Sequence, residues 1–194
     1  MGHRCEGERR RMAEQPGLSE LLEQGKAFPE RDEHTQALAI FERATELAPE
    51  SFGAWFNLAY TLDDLGRYEE AWDALARALA LDPNHANAWN NKGAALNSLG
   101  RHQEALDAFD RALALNPNNA DAWNNNGWAF LQLERLEDAL TCYGRALQLT
   151  PKDSVAWKNK GVALRKLGRG EEALTSFDSA LQLAPHHAVA WHQK

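Results

Sequence analysis

The chain has 194 residues, a formal net charge of −7 and 44% apolar residues. Alanine and leucine together number 60, valine and isoleucine only four. A sheet core draws on β-branched side chains and a helix on Ala and Leu, so a sizeable β-sheet and wholesale disorder are both excluded and the chain reads as all-α.

Residues 1–17 carry Arg4, Arg9, Arg10 and Arg11 and belong to no periodic pattern. They read as a disordered N-terminal tail. They hold no apolar stretch of the kind a secretory signal needs, and Met12 is an alternative start. No apolar run approaches the length of a membrane span. Cys5 and Cys142 are too few for a disulfide framework. Together these features predict a cytoplasmic protein with no membrane contact. The acidic balance argues against nucleic acid, whose binding rests on Lys and Arg neutralising phosphates.

From residue 18 onward the sequence repeats itself. Pro49, Pro83, Pro117, Pro151 and Pro185 recur every 34 residues, as do Trp55, Trp89, Trp123, Trp157 and Trp191. The units are 18–51, 52–85, 86–119, 120–153 and 154–187, and 188–194 opens a partial sixth. Such a period is read before any local feature. The eighth place of each unit is small: Gly25, Ala59, Gly93, Gly127 and Gly161. Ala37, Ala71, Ala105, Ala139 and Ala173 fill the twentieth place, and Ala44, Ala78, Ala112, Ala146 and Ala180 the twenty-seventh. The twenty-fourth is large: Phe41, Leu75, Phe109, Tyr143 and Phe177.

Helical spacing recurs twice in each unit, as in Trp89, Gly93, Leu96 and then Ala105, Phe109, Ala112. Gly66, Gly100 and Gly168 suit a left-handed residue ending the first helix; Glu134 stands in that place in the fourth unit. Glu69, Glu70, Glu171 and Glu172 suit the dipole at the start of the second helix, and the prolines stop it. Ser51, Asn119 and Asp153 are candidate caps for the next first helix. Small side chains at the eighth, twentieth and twenty-seventh places let two helices approach, and the bulky one fills the remaining space. The phased tryptophans are structural, packing on the preceding unit. Lysine stems such as Lys92 and Lys160 can serve as apolar cover.

This pattern, W-N-N-K-G…A-L…F…A-L…N-P, closely resembles the tetratricopeptide repeat over residues 18–194. The resemblance implies a right-handed superhelical solenoid of antiparallel helix pairs, whose first helices line a concave groove. The first unit departs from the pattern: Leu21 replaces the tryptophan, and Pro29 shortens its first helix.

Chemistry-bearing motifs are few. Gly168, Gly170 and Ala173 match a dinucleotide fingerprint, but that fingerprint needs a preceding strand, and here it falls in a helix–helix turn. His186, His187 and His192 read as solvated rather than as a metal site. Cys142 reads as a small buried residue. No catalytic, cofactor-binding or metal-binding residue is assigned, and the chain is not read as an enzyme.

The asparagines are different. Asn57, Asn91, Asn125 and Asn159 occupy the sixth place of units two to five, and Asn is a mediocre helix former. The resemblance implies that this place faces the groove. A side-chain amide both donates and accepts, so it can pair with a peptide bond of any sequence. The row is similar to the asparagine ladder of O-linked N-acetylglucosamine transferase and kinesin light chain. Asn90, Asn124, Tyr60 and Trp128 would lie beside it, with Phe56, Asp63 and Asp64 at one end and Lys158, Arg165 and Lys166 at the other. The carboxylate clamp of chaperone-binding relatives fits poorly, because the ninth place holds no Asn. The function expected is a protein–protein interaction scaffold that binds an extended peptide. The alternatives are self-association through the C-terminal end, giving a homo-oligomer, and service as the regulatory region of a larger enzyme.

Overall fold

The computed structural model of the protein describes residues 17–27 and 34–184, and within them every regular element is an α-helix. The expectations for the N-terminal tail, for Pro29 and for 188–194, with those for His186, His187, His192 and Trp191, lie outside the described residues. In chain order the helices are α1 (Leu18–Lys26), α2 (His34–Leu47), α3 (Phe52–Asp64), α4 (Tyr68–Leu81), α5 (Ala86–Ser98), α6 (His102–Leu115), α7 (Ala120–Gln132), α8 (Leu136–Leu149), α9 (Ser154–Lys166) and α10 (Gly170–Leu183). The chain divides into two compact units, Met1–Leu81 and Asp82–Lys194. Helices α1 to α4 belong to the first, α5 to α10 to the second. Each unit is built of antiparallel helix pairs, and within a unit each first helix packs on both its own partner and the second helix of the pair before it.

The end of each first helix follows from one residue. Gly66, Gly100 and Gly168 have φ of 75°, 73° and 76°, a region costly to residues with a Cβ. There the chain closes a Schellman motif. The N–H of Arg67 reaches Leu62 O at 2.8 Å and that of Arg101 reaches Leu96 O at 2.9 Å. Glu134 takes the same turn at φ 57°. The arginine after the turn then forks onto a carboxylate in the first turn of the second helix. Arg67 holds Glu70 with two bonds of 2.6 Å, and Arg169 holds Glu172 with two of 2.7 Å.

Four of the five first helices start on side-chain caps, α1 being the exception. Ser51, Asn119 and Asp153 accept from Ala54, Ala122 and Ala156 at 3.3, 3.0 and 3.1 Å. A cap of this kind contributes about 0.5–2 kcal/mol. In the same place His85 also caps, its Nδ1 accepting from Ala88 at 3.2 Å; the sequence pattern did not single it out.

Within a pair, the contact that sets the spacing is an aromatic ring laid on a glycine. A Cβ added to Gly25, Gly93, Gly127 or Gly161 would sit 2.4, 2.5, 2.7 or 2.7 Å from the ring of Phe41, Phe109, Tyr143 or Phe177. In α3 and α4 the combination is Ala59 with Leu75, both buried. The phased alanines Ala44, Ala78, Ala112, Ala146 and Ala180 have no exposed surface. Between pairs the tryptophans do the joining. Trp89 and Trp123 pack on Ala112, Leu113 and Ala122, and Trp123 and Trp157 on Ala146, Leu147 and Ala156. Each indole also donates its N–H to the carbonyl of the proline six residues earlier, at 2.8 Å for Trp55 to Pro49 and 2.9 Å for Trp89 to Pro83, Trp123 to Pro117 and Trp157 to Pro151. This bond explains why proline and tryptophan keep one phase. Lys92 and Lys160 lie over the rings of Trp89 and Trp157 at 5.1 Å, a cation–π contact that makes them cover as expected.

Two stability changes follow. Gly93→Ala overpacks the Phe109 ring and lowers unfolding free energy by about 1–3 kcal/mol, and adding Phe109→Leu, the combination found at Ala59 and Leu75, recovers most of the loss in urea titrations. Glu134→Gly relieves a left-handed residue that costs about 1–2 kcal/mol and raises the urea midpoint, net of its exposed ion pair with Lys166.

Candidate functional site

In the second unit α5, α7 and α9 carry Asn90 and Asn91, Asn124 and Asn125, and Lys158 and Asn159. Their amides meet from one helix to the next. Asn125 Nδ2 donates to Asn90 Oδ1 at 3.3 Å, and Asn159 Nδ2 donates to Asn124 Oδ1 at 3.2 Å. Asn90 Nδ2 in turn donates to Asn91 Oδ1 at 3.4 Å. The sixth-place amide of one repeat therefore fastens onto the fifth-place amide of the repeat before it. Asn91 and Asn125 are half-buried, but Asn159 is only 5% exposed. Its committed donor and its burial make it a fastening rather than an outward-facing group.

An amide has two N–H donors and a carbonyl oxygen with two lone pairs. One donated N–H leaves Asn125 another N–H and its oxygen. Trp128, on the same helix, is 39% exposed, unusual for so large an apolar surface within a packed solenoid. Arg165 is exposed at the end of α9, while Lys166 forms a 2.6 Å ion pair with Glu134. Lys158 is half-buried.

Several polar groups that the sequence did not mark support this face. Asn97 Nδ2 donates to the backbone oxygen of Asn125 at 3.3 Å, and its Oδ1 lies 3.1 Å from His102 Nδ1. Asn126 is buried and donates to Asp110 Oδ1 at 3.2 Å, while its own Oδ1 has no partner. The available signal was an Asn in a place that holds Lys92 and Lys160 in neighbouring repeats. In the same unit, burial first and then the charges of Asp138 and Asp110 push the Cys142 thiol up to about 12, which suppresses the nucleophilic thiolate.

In the first unit Asn57 and Tyr60 lie on α3 and line a cavity of about 410 Å³ together with Phe56, His34 and Asp64. Tyr60 is exposed and Asn57 half-buried. The carboxyl of Asp63 is held above its ordinary range, by burial first and then by the charge of Asp64. Among the described residues no group of three or more His, Cys, Asp or Glu could hold a metal ion, and no helix is long and apolar enough to cross a membrane. The glycine-rich G-x-G-x-x-A segment starts in the turn after α9 and runs into the first turn of α10, preceded by a helix rather than a strand.

Three models of the tetratricopeptide repeat match the chain, at residues 28–95, 86–119 and 124–188, and together span more than half of it. No curated protein matches. Similar solved structures include MamA (TM-score 0.74, 25% identity, covering 84% of this chain and 96% of that one). YrrB, described as a TPR protein with an unusual peptide-binding site, superposes with TM-score 0.70 at 24% identity, covering 91% of each chain. A thermophilic TPR protein of Thermus thermophilus does so with TM-score 0.73 at 23% identity, covering 87% of this chain and 92% of that one.

Because folding holds the Asp63 carboxyl above 3.8, its ionised form destabilises the native state at neutral pH, and this penalty fades as pH falls through the raised value. Asp63→Asn therefore increases unfolding free energy at pH 7. The gain over wild type shrinks to nothing below the ordinary carboxylate range, as read by denaturant titration at a series of pH values.

Proposed function

We propose, on the premise that this chain belongs to the tetratricopeptide-repeat family, that it binds an extended segment of a protein partner along the exposed side of its first helices. Chains of this family are interaction modules, and this one is a protein–protein interaction scaffold whose partner is a protein. No catalytic role is assigned to it.

The observation that carries the reading is the amide row of the second unit. The bonds from Asn125 to Asn90 and from Asn90 to Asn91 hold these side chains in one arrangement before any ligand arrives. Groups fixed in advance lose less side-chain entropy on binding. Asn91 and Asn125 then offer their remaining donors and acceptors to a peptide main chain. Adjacent first helices stand roughly 8–10 Å apart, and an extended strand rises about 3.3 Å per residue, so one amide meets about every third residue. Asn159 contributes by holding Asn124 in place, and Asn57 offers the same group in the first unit. Trp128 takes an apolar side chain, as exposed aromatics do at interfaces. Arg165, with Lys158 and Lys166 nearby, favours an acidic residue in the segment.

Each peptide hydrogen bond nets about 0.5–1.5 kcal/mol, and ordering the segment removes part of the sum, so binding is micromolar. Linear peptides selected on the full chain are titrated by calorimetry against wild type, Asn91→Ala/Asn125→Ala and Trp128→Ala. The double variant weakens binding by about tenfold or more, with helicity unchanged by circular dichroism. Unchanged affinity in that variant removes the amide row from the mechanism.

A further inference from the structure

We propose that a cleft of the first unit, which shares no residue with the amide row, takes a lysine side chain presented by a protein partner. The cleft lies between α2, α3 and α4 and encloses about 400 Å³, within the range of ligand clefts, about 300–1,000 Å³. Trp55, Leu58 and Leu62 on α3 give it an apolar wall. Trp55 has one polar commitment, the N–H bond to Pro49, and among the described residues no cation stands over its ring.

Two other repeats of the same chain show what such a ring attracts. The seventh place holds Lys92 in the third repeat and Lys160 in the fifth, and each ammonium lies 5.1 Å from the centre of the tryptophan ring three residues earlier. Lys92 is half-buried, and that burial, followed by the charge of Arg101, lowers its pKa. The ammonium is thus drawn partly out of water against the indole. In the second repeat the seventh place is Leu58, buried and uncharged. The lysine is missing there, and the cleft opens beside Trp55.

The charge around the cleft favours the same occupant. Glu42, Glu70 and Asp73 line it against one cation, Arg77. Glu70 is forked by Arg67, whose charge also reaches Glu42. Three carboxylates therefore meet two guanidiniums, and one negative charge is left over. Glu42 and Asp73 are exposed and form no ion pair or side-chain hydrogen bond among the described residues. In the third repeat the carboxylate at the twenty-fifth place, Asp110, is met at 3.2 Å by Asn126, at the seventh place of the repeat that follows. Glu42 holds the twenty-fifth place of the first repeat, and Leu58 offers it no donor. A lysine supplies each missing part: a methylene stem for the leucines, and an ammonium for the indole face and the spare carboxylate. An apolar side chain would leave the charge unanswered, and an acidic one would be repelled.

The test uses the full chain, labelled with ¹⁵N, and N-acetyl-lysine amide as the probe. Saturable shifts centred on Trp55 to Leu62 and on Asp73 to Arg77 are expected, with a dissociation constant in the millimolar range, about 1–10 mM. N-acetyl-norleucine amide, which keeps the stem and lacks the ammonium, binds at least about fivefold more weakly. Glu42→Gln/Asp73→Asn, at exposed positions, removes most of that difference. Leu58→Lys puts the chain's own ammonium into the cleft, as in the third and fifth repeats, and abolishes the shifts with helicity unchanged by circular dichroism. Asn91→Ala/Asn125→Ala leaves them as in wild type, so a failure of the amide row and a failure of the cleft are separable. No saturable shift at these residues, equal binding of the lysine and norleucine derivatives, tighter binding of N-acetyl-arginine amide, or shifts that survive in folded Leu58→Lys overturns the proposal.

Discussion

The structure depends on one contact, repeated: the face of a ring pressed against a helix backbone that has no Cβ. At Gly25, Gly93, Gly127 and Gly161 the ring atoms come so near that even a methyl group would intrude. Glycine in the middle of a helix sacrifices about 0.5–1 kcal/mol of propensity. Its presence in four of five pairs means that the packing of Phe41, Phe109, Tyr143 and Phe177 outweighs that loss. The separation of two helices is thus decided by two residues sixteen apart, and everything on the outer faces inherits its position from them.

The second level joins one pair to the next. Here the tryptophan acts twice, burying part of its ring against alanine and leucine and tying its N–H to a proline carbonyl. That carbonyl follows the end of a second helix, where backbone acceptors have no partner within the helix. The indole supplies one. A buried aromatic with its polar atom satisfied gives area and direction at once, and so the next first helix is delivered at a fixed angle. The asparagine row lies on helices placed in this way.

Most of the architecture was legible in the sequence because it is periodic. The spacing of Pro83 and Trp89, repeated through the chain, marked the units, and Gly66, Gly100 and Gly168 marked the turns. Glu134 followed the turn despite its side chain, since its neighbours on both sides dictated the backbone. What stayed hidden were contacts between residues far apart in sequence or unusual in chemistry. His85 as a cap was missed because imidazole is not among the preferred capping groups. The link from Asn126 to Asp110 and that from Asn125 to Asn90 depend on how two helices face each other, which residue types alone do not state. The candidate site was accordingly legible as a row of amides, but not as a row whose members hold one another. Asn159 shows the difference: sequence marks it as equal to Asn91, and burial sets it apart.

The arginine forks at the start of three of the second helices, Arg67 with Glu70, Arg101 with Glu104 and Arg169 with Glu172, close within three residues of themselves. The indole bonds close within six. Each repeat therefore brings along its own turn electrostatics, and it shares with its neighbour both apolar surface and polar links such as the amide pairs and the indole bonds. Removing one period would keep these short-range forks but would separate pairs such as Lys166 and Glu134, which are exposed and weak, so length in such a protein is a variable that recombination can tune at small electrostatic cost.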